Sequence, residues 1–393
     1  MLLVAGAITG QTAGAVETPV EIPFGPWLQE LKAEAISRGV RKATLETALA
    51  GVQPIPRVLE LDRRQPEFTL TLWRYLSRAI SDARIAKGRA MLVKHKKLLD
   101  KVSAKFGVQP RFLVAFWGLE SNFGQYTGTF PVLGALATLA HDQRRAKFFR
   151  AQLLAALTLI DQGNFSHRVK GSWAGAMGNH QFIPTTYQGY AYDFDGDGKR
   201  DLWTSLPDIF ASAANYLSRS GWQGDKTWGR EVRLPQGFDF NLSGLNTQKP
   251  LSDWQSLGIR RTDGGNLPSV DIAASVILPA GYTGPAFLIY KNYRTILVWN
   301  RSLLYAIAVG HLADRIVGGG PLQAKKPAND EPLSRADVKN MQLLLARHGH
   351  DAGTPDGVIG PKTRQAIKAY QKRAKLPADG YPNLGLIERL QGG

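Results

Sequence analysis

One stretch, Gly318-Gly319-Gly320-Pro321 through Pro332, divides the chain into two unequal parts. It mixes glycine, proline and charges of both signs without any apolar period, so residues 318–333 read as a linker. No single core can run through it, and 393 residues favour two or three domains at roughly 150 residues each. Beyond the linker, 334–393 form a unit of about sixty residues, small but sufficient for three amphipathic helices. Ser334 can cap a helix with Asp337 three residues on, and Val338, Met341, Leu344 and Leu345 share one face. The turn Thr354-Pro355-Asp356-Gly357 follows. Gly360-Pro361 then opens a second helix carrying Ala366, Ile367 and Tyr370, and a third is predicted over Leu384–Leu390.

Ahead of the linker, 23–317 read as one large domain. From Pro26 to about Asp100 the spacing is helical, as in Leu28, Leu31, Ala35 and Ile36, with loops at Gly51-Val52-Gln53-Pro54 and Gln65-Pro66. The almost wholly apolar run Phe112–Leu119 starts just after Pro110 and predicts a buried helix; 144–162 and 207–219 predict two more. At about 228–300 short β-rich runs (Glu231–Leu234, Ala286–Tyr290, Thr295–Trp299) separated by turn residues predict a small sheet subdomain. A last helix, about Ser302–Val317, closes the domain. The fold class is therefore α+β, mainly α. At the N-terminus, apolar Leu2–Ile8 and the small-x-small Ala13-Gly14-Ala15 make 1–22 read as an export signal lacking its positive n-region.

Composition removes whole classes. With 44% apolar residues the chain is neither disordered nor collagen-like, and it holds no run of about eighteen apolar residues that would span a membrane. Zero Cys excludes disulfides, thiolate zinc sites and a cysteine nucleophile. Seven unclustered His argue against zinc, and no phosphate-binding glycine loop, His-Glu-x-x-His or Gly-x-Ser-x-Gly occurs. The net charge of +17 suits an anionic partner (nucleic acid, membrane head groups or cell wall), or is a solvated basic surface kept soluble by self-repulsion. Its spread along the whole chain speaks against nucleic acid.

Three segments can carry chemistry. Glu120 ends the apolar helix in Phe116-Trp117-Gly118-Leu119-Glu120-Ser121-Asn122-Phe123-Gly124, and no other carboxylate occurs between Asp100 and Asp142. A carboxyl group among aromatic rings is costly to ionise, which suits a general acid; the plain alternative is a helix-end Glu facing water or backbone N–H groups. Ser172 to Tyr187 is dense in small residues that let a backbone approach a ligand, or that form a close helix contact; His180 within it stands alone. The third is Asp193-Phe194-Asp195-Gly196-Asp197-Gly198-Lys199-Arg200-Asp201. Oxygen ligands at loop positions 1, 3, 5 and 9, glycine at 6 and the Lys199 carbonyl at 7 follow the EF-hand calcium pattern. Position 12 is Thr204 rather than Glu, so Asp208 is the nearest substitute. With no second hand the role would be structural, and an acidic solvent loop is the alternative.

Taken together these stretches resemble the lytic murein transglycosylase B family, which cleaves peptidoglycan glycan strands. The resemblance runs from about 25 to 317 and rests on Glu-Ser-Asn-Phe-Gly (120–124), Ala174-Gly175-Ala176-Met177-Gly178 with Gln181-Phe182 and Pro184, the Asp-rich loop with Leu202-Trp203, Asn215-Tyr216, and Trp299-Asn300-Arg301-Ser302 with Tyr305. It implies a lysozyme-like core with a helical lobe and a small β subdomain. It also implies Glu120 as the catalytic acid, with Ser172, Met177, Gln181, Phe182, Tyr216, Asn300 and Tyr305 lining the sugar groove. Trp299 stands where relatives can have Tyr, which implies a stacking role. Arg144 and Arg145 resemble an arginine pair that meets muropeptide carboxylates, or are an exposed basic helix start. Asp193, Asp195, Asp197, Lys199, Asp201 and Asp208 would hold a structural Ca2+, with no cofactor required for chemistry. The tail around Asp356-Gly357-Val358-Ile359-Gly360-Pro361 is similar to the three-helix peptidoglycan-binding domain. The implied partners are glycan strands and stem peptides, not nucleic acid. The implied protein is a monomer in the periplasm, exported, soluble and, lacking Cys, not a lipoprotein. The implied reaction is cleavage of the MurNAc–GlcNAc bond to a 1,6-anhydro product. A hydrolytic muramidase and a non-catalytic wall-binding protein are the alternatives.

Overall fold

Caps and breakers mark out the first half of the chain. The structure, a computed structural model, describes residues 22–64, 70–327 and 331–392, so the expected export signal lies outside the described residues. Seven helices come first: α1 (Phe24–Ser37), α2 (Lys42–Ala48), α3 (Pro56–Arg64), α4 (Leu72–Ala79), α5 (Asp82–Lys94), α6 (Lys96–Phe106) and α7 (Pro110–Ser121). Thr71 and Ser81 accept the amide N–H of Arg74 and Arg84 to cap α4 and α5. Gly107, at φ 71°, ends α6, and Pro110 opens α7. Residues Phe112 to Gly118 of α7 are all buried, as their unbroken apolar run requires.

A two-stranded ribbon, β1 (Phe130–Pro131) with β2 (Lys170–Gly171), encloses α8 (Val132–His141) and α9 (Ala146–Asp161). Next come α10 (Pro184–Tyr190) and α11 (Leu206–Arg219), then an antiparallel sheet of β3 (Gly229–Arg233), β4 (Lys249–Pro250), β5 (Arg260–Arg261), β6 (Ala273–Ile277) and β7 (Ala286–Ile289), with α12 (Leu251–Ser256) beside it. Its order is β4-β6-β7-β3-β5, with Glu231 opposite Phe287 and Val276 opposite Leu288. Phe287 and Ile289 face the helices while Ala286 and Leu288 face a second apolar layer around Trp254. Both faces are covered, so the strand reads as a continuous apolar run rather than an alternation.

One expectation is corrected here. Thr295–Trp299 is not a strand but the end of α13 (Lys291–Trp299), followed by α14 (Leu303–Ile316). Its β-branched residues favour a strand locally, yet Asn292, Tyr293, Thr295 and Ile296 bury one helical face, and that burial overrides propensity. Of the strands, β3 and β7 were predicted; β6 is the longest of those that were not, and the others are two-residue pairings.

Three apolar cores build the large part. One gathers α7, α11 and α14 with Phe112, Phe116, Trp117, Phe210 and Ile307; one gathers α8 and α9 with Leu136, Leu153, Phe182 and Tyr187; the third lies on the sheet. Trp299 packs against both the first and the second. A fourth core, with Val338, Met341, Leu345, Ile367 and Leu390, belongs to α15 (Arg335–Arg347), α16 (Pro361–Arg373) and α17 (Leu384–Gly392). The capping box forms as read: Ser334 Oγ accepts from Asp337 N at 3.1 Å, and Ser334 N donates to Asp337 Oδ2 at 2.8 Å. The connection is pinned rather than free. Glu231 accepts the backbone N–H groups of Gln323 and Ala324 at 2.7 and 2.8 Å. Lys368 Nζ donates to the carbonyls of Ser243 and Phe240 at 2.7 and 3.1 Å, and Tyr282 N donates to Asp379 Oδ2 at 2.8 Å.

Candidate active site

The last turn of α7 is shaped by the segment that follows it. Asn122 and Phe123 both adopt left-handed backbone, φ 51° and 61°, and Gly124 continues at φ 79°. Phe123 N reaches back to Trp117 O at 3.1 Å, and the Ser121 hydroxyl accepts from Gly124 N at 2.9 Å. The Phe123 ring then folds over Gly118, where a Cβ would stand 2.8 Å from it. Glu-Ser-Asn-Phe-Gly is thus a helix terminator that leaves Glu120 half-buried at a fixed exit.

Two aromatic donors converge on the carboxyl. Trp299 Nε1 donates to Glu120 Oε1 at 2.8 Å, and the Tyr305 hydroxyl donates to the same oxygen. Burial raises the Tyr305 phenol well above its ordinary range, and the neighbouring Glu120 charge and hydrogen bond push the same way, so it is a neutral donor at any working pH. Tyr75 acts on that phenol in the same direction. Trp299 itself is stacked on Tyr216 (5.0 Å between ring centroids), which is stacked on Tyr190 (4.4 Å); Phe182 meets it edge-on, and Phe116 packs against it at a tilt, 4.5 Å between centroids.

The expected groove residues divide by depth: Tyr216 and Gln181 are partly exposed, whereas Met177, Phe182 and Tyr305 are buried. Met177 and Phe182 exchange both backbone hydrogen bonds at 2.9 Å, closing a tight turn in which Gln181 takes φ 51°. The Gln181 amide donates to Thr127 O and Gly178 O, both at 3.0 Å, and so ties this turn to the segment after Glu120. Ser172 Oγ accepts from Ala174 N and Ala176 N, a turn-building use of the hydroxyl. Asn300 is exposed, and its Oδ1 accepts from Ser302 N at 3.0 Å. Arg144 and Arg145 both clasp the buried Asp62 carboxylate, so their guanidinium groups already hold an internal anion. Trp299, expected in a stacking role, stacks on Tyr216 and also donates to Glu120; Tyr190 and Tyr75 were missed as site residues, and nothing in the sequence marked them.

In the acidic loop, Asp193, Asp195, Asp197 and Asp208 bring one carboxylate oxygen each within 4.8 Å of one another. Burial raises the Asp208 carboxyl, and the neighbouring Asp195 and Asp193 charges add to that. Four hard oxygens so close suit a divalent cation of the calcium type. Asp201 is used otherwise: it accepts from Trp203 N and Thr204 N and from the Thr204 hydroxyl, fastening the loop exit. Lys199 N donates to Asp197 Oδ1 at 2.8 Å. A separate recess of about 440 Å³ lies under the linker at the far end of α7 and α14, beside Arg111 and Asp314, away from Glu120. Among the described residues no single helix is long and apolar enough to cross a membrane.

Comparison with known proteins finds the same two-part organisation. Residues 23–314 match the Transglycosylase SLT domain, and 334–390 match a peptidoglycan binding domain. The membrane-bound lytic murein transglycosylase B of Escherichia coli (strain K12) is 33% identical over 257 residues, 62% of this chain and 66% of that protein. SltB3 from Pseudomonas aeruginosa in complex with NAG-NAM-pentapeptide is 49% identical, with a TM-score of 0.90 over 93% of this chain and 99% of that one. Its complex with NAG-anhNAM-pentapeptide gives 48% and 0.90, covering 94% and 99%. Slt35 of Escherichia coli in complex with calcium is 28% identical at a TM-score of 0.65, covering 74% of this chain and 93% of that one. With the Transglycosylase SLT domain occupying most of its length, the chain belongs to the lytic transglycosylase family.

Proposed function

We propose that this lytic transglycosylase cleaves the β-1,4 bond between N-acetylmuramic acid and N-acetylglucosamine in peptidoglycan, using Glu120 first as acid and then as base. The observation that carries this reading is the pair of neutral aromatic donors on Oε1 of a half-buried carboxyl. An oxygen accepting two hydrogen bonds is the less basic one, so the mobile proton belongs on Oε2 and the carboxyl plane is held for its delivery. Glu120 protonates the glycosidic oxygen and the C1–O bond breaks. The substrate's own 2-acetamido group stabilises C1, and the Glu120 carboxylate then removes the C6 hydroxyl proton as O6 closes on C1. The product is a 1,6-anhydro sugar, no water is consumed, and Glu120 ends protonated as it began. Two catalytic carboxylates, as ordinary glycosidases require, are not needed. The 1,6-anhydro form matches the NAG-anhNAM-pentapeptide bound by SltB3.

In this reading Tyr216, Gln181, Asn300 and Ser172 face the sugars, and a stem-peptide carboxylate at Arg144 and Arg145 competes with Asp62. The C-terminal unit holds the polymer near the groove, which places the enzyme at the cell wall, in the periplasm. Asp193, Asp195, Asp197 and Asp208 hold Ca2+, which when bound supplies charge neutralisation and loop order rather than chemistry; Slt35 is a relative solved with calcium. Glu120→Gln keeps the size of the side chain but cannot deliver and reclaim the proton. Lysis of purified sacculi should fall by at least roughly 10²-fold while binding to sacculi persists. Mass spectrometry of the wild-type products decides the reaction type: anhydro ends support the proposal, and reducing ends would make the protein a muramidase.

A further inference from the structure

Asn179 is buried, and its polar atoms serve two structures at once. Its Oδ1 accepts from Trp117 Nε1 at 2.7 Å, one turn before Glu120 in α7. Its Nδ2 donates to Leu202 O at 3.1 Å and Trp203 O at 2.9 Å, and its backbone N donates to Leu202 O at 2.8 Å. Leu202 and Trp203 are the exit of the acidic loop, and Asp201 fixes that exit by accepting from Trp203 N at 2.7 Å. Neither side has slack. A Cβ on Gly124 would stand 2.4 Å from Asn179 Oδ1, and one on Gly178 would stand 2.8 Å from Leu202 O. A shift of the loop exit by a few tenths of an ångström must therefore move the amide, the Trp117 indole, or both. The Trp117 carbonyl is also the acceptor for Phe123 N, so the same residue anchors the turn that ends α7.

We propose that Asn179 is a positioning residue that couples the order of the acidic loop to the placement of Glu120, so that cation binding in the loop raises turnover without touching substrate. The proposal rests on the calcium reading of the loop given above. Misplacing a reacting group by about 1 Å can cost on the order of 10²-fold in rate, and a loosened brace would cost a part of that.

The test uses the full chain, stripped with chelator and titrated with Ca2+ alone, in three forms: wild type, Asn179→Ala and Trp117→Phe. The last removes the indole N–H while keeping an aromatic ring, and serves if Asn179→Ala does not fold. Two quantities are read: the melting temperature, and kcat and KM on sacculi. In the wild type Ca2+ should raise both melting temperature and kcat, the latter roughly tenfold, with KM unchanged. In the variants Ca2+ should still raise the melting temperature, but kcat should stay low and no longer respond. Variants whose kcat follows Ca2+ as the wild type does overturn the role of Asn179. A wild-type melting shift with unresponsive kcat overturns the coupling and leaves a purely structural cation. A wild-type melting temperature indifferent to Ca2+ overturns the calcium reading, and the proposal with it.

Discussion

At the scale of single residues, the Glu120 carboxyl is defined less by itself than by what points at it. Glu120 was legible because it is the single acid in a long apolar and small-residue window, where any carboxyl stands out. The hydrogen bond from Trp299 was not, since the two residues lie 179 positions apart and an indole N–H announces no direction in a sequence. Removing one donor at a time separates their contributions. Tyr305→Phe and Trp299→Phe should each lower kcat roughly tenfold with KM nearly unchanged, because neither group needs to contact the bound sugar to orient the acid. Steady-state kinetics on purified sacculi or a defined muropeptide check this; a change confined to KM would assign the pair to substrate binding instead.

At the scale of elements, local signals were reliable wherever a cap or breaker set the boundary and failed where tertiary burial decided. Pro110 and Ser334 began helices as read, whereas Thr295–Trp299 became helix because Tyr293 and Ile296 had a core to fill. The acidic loop was legible through its alternate aspartates and Gly198. That Asp201 stands outside the close group of four carboxylates was not, since which acids converge is decided by the fold of the loop and not by their spacing. Two imidazoles inside these packed elements make a pH prediction. His180 lies between α7, α11 and Trp299, where the Leu113 and Ile209 carbonyls approach it without forming well-directed hydrogen bonds, and burial pushes it down to about 4. His311 of α14 is likewise pushed down to about 4 by burial and by Arg315. With folded values below the ordinary 6.5, the unfolded chain takes up protons first on acidification. The stability these groups allow is intact above about pH 6.5 and is lost between there and 4, on the order of 3 kcal/mol each. Urea midpoints at pH 7 and pH 4.5 should show the loss, and His311→Gln should remove its share.

At the scale of the whole molecule, the stretch from 318 to 333 reads as a flexible tether but is fastened along its way. Lys368 would be taken for a solvated cation in any sequence reading; here it is half-buried against the carbonyls of Phe240 and Ser243. Such contacts between parts far apart in sequence have no local signature, so the existence of the tail unit was legible and its seat was not. Glu231, by accepting two consecutive amide N–H groups, is the clasp on the connection. Glu231→Gln should release it in part, and limited proteolysis should then cut between Val317 and Glu331 several-fold faster than in the wild type, with no change in overall helix content.

Membership of Trp299 in two apolar cores has a mechanical meaning. The indole whose N–H meets Glu120 packs against both, while its own helix α13, like α7, belongs to the first core. Parting the cores would leave donor and acceptor on the same side but strip the indole of Phe182, the ring that the second core presses on it. The grip on the carboxyl is thus backed from across the seam.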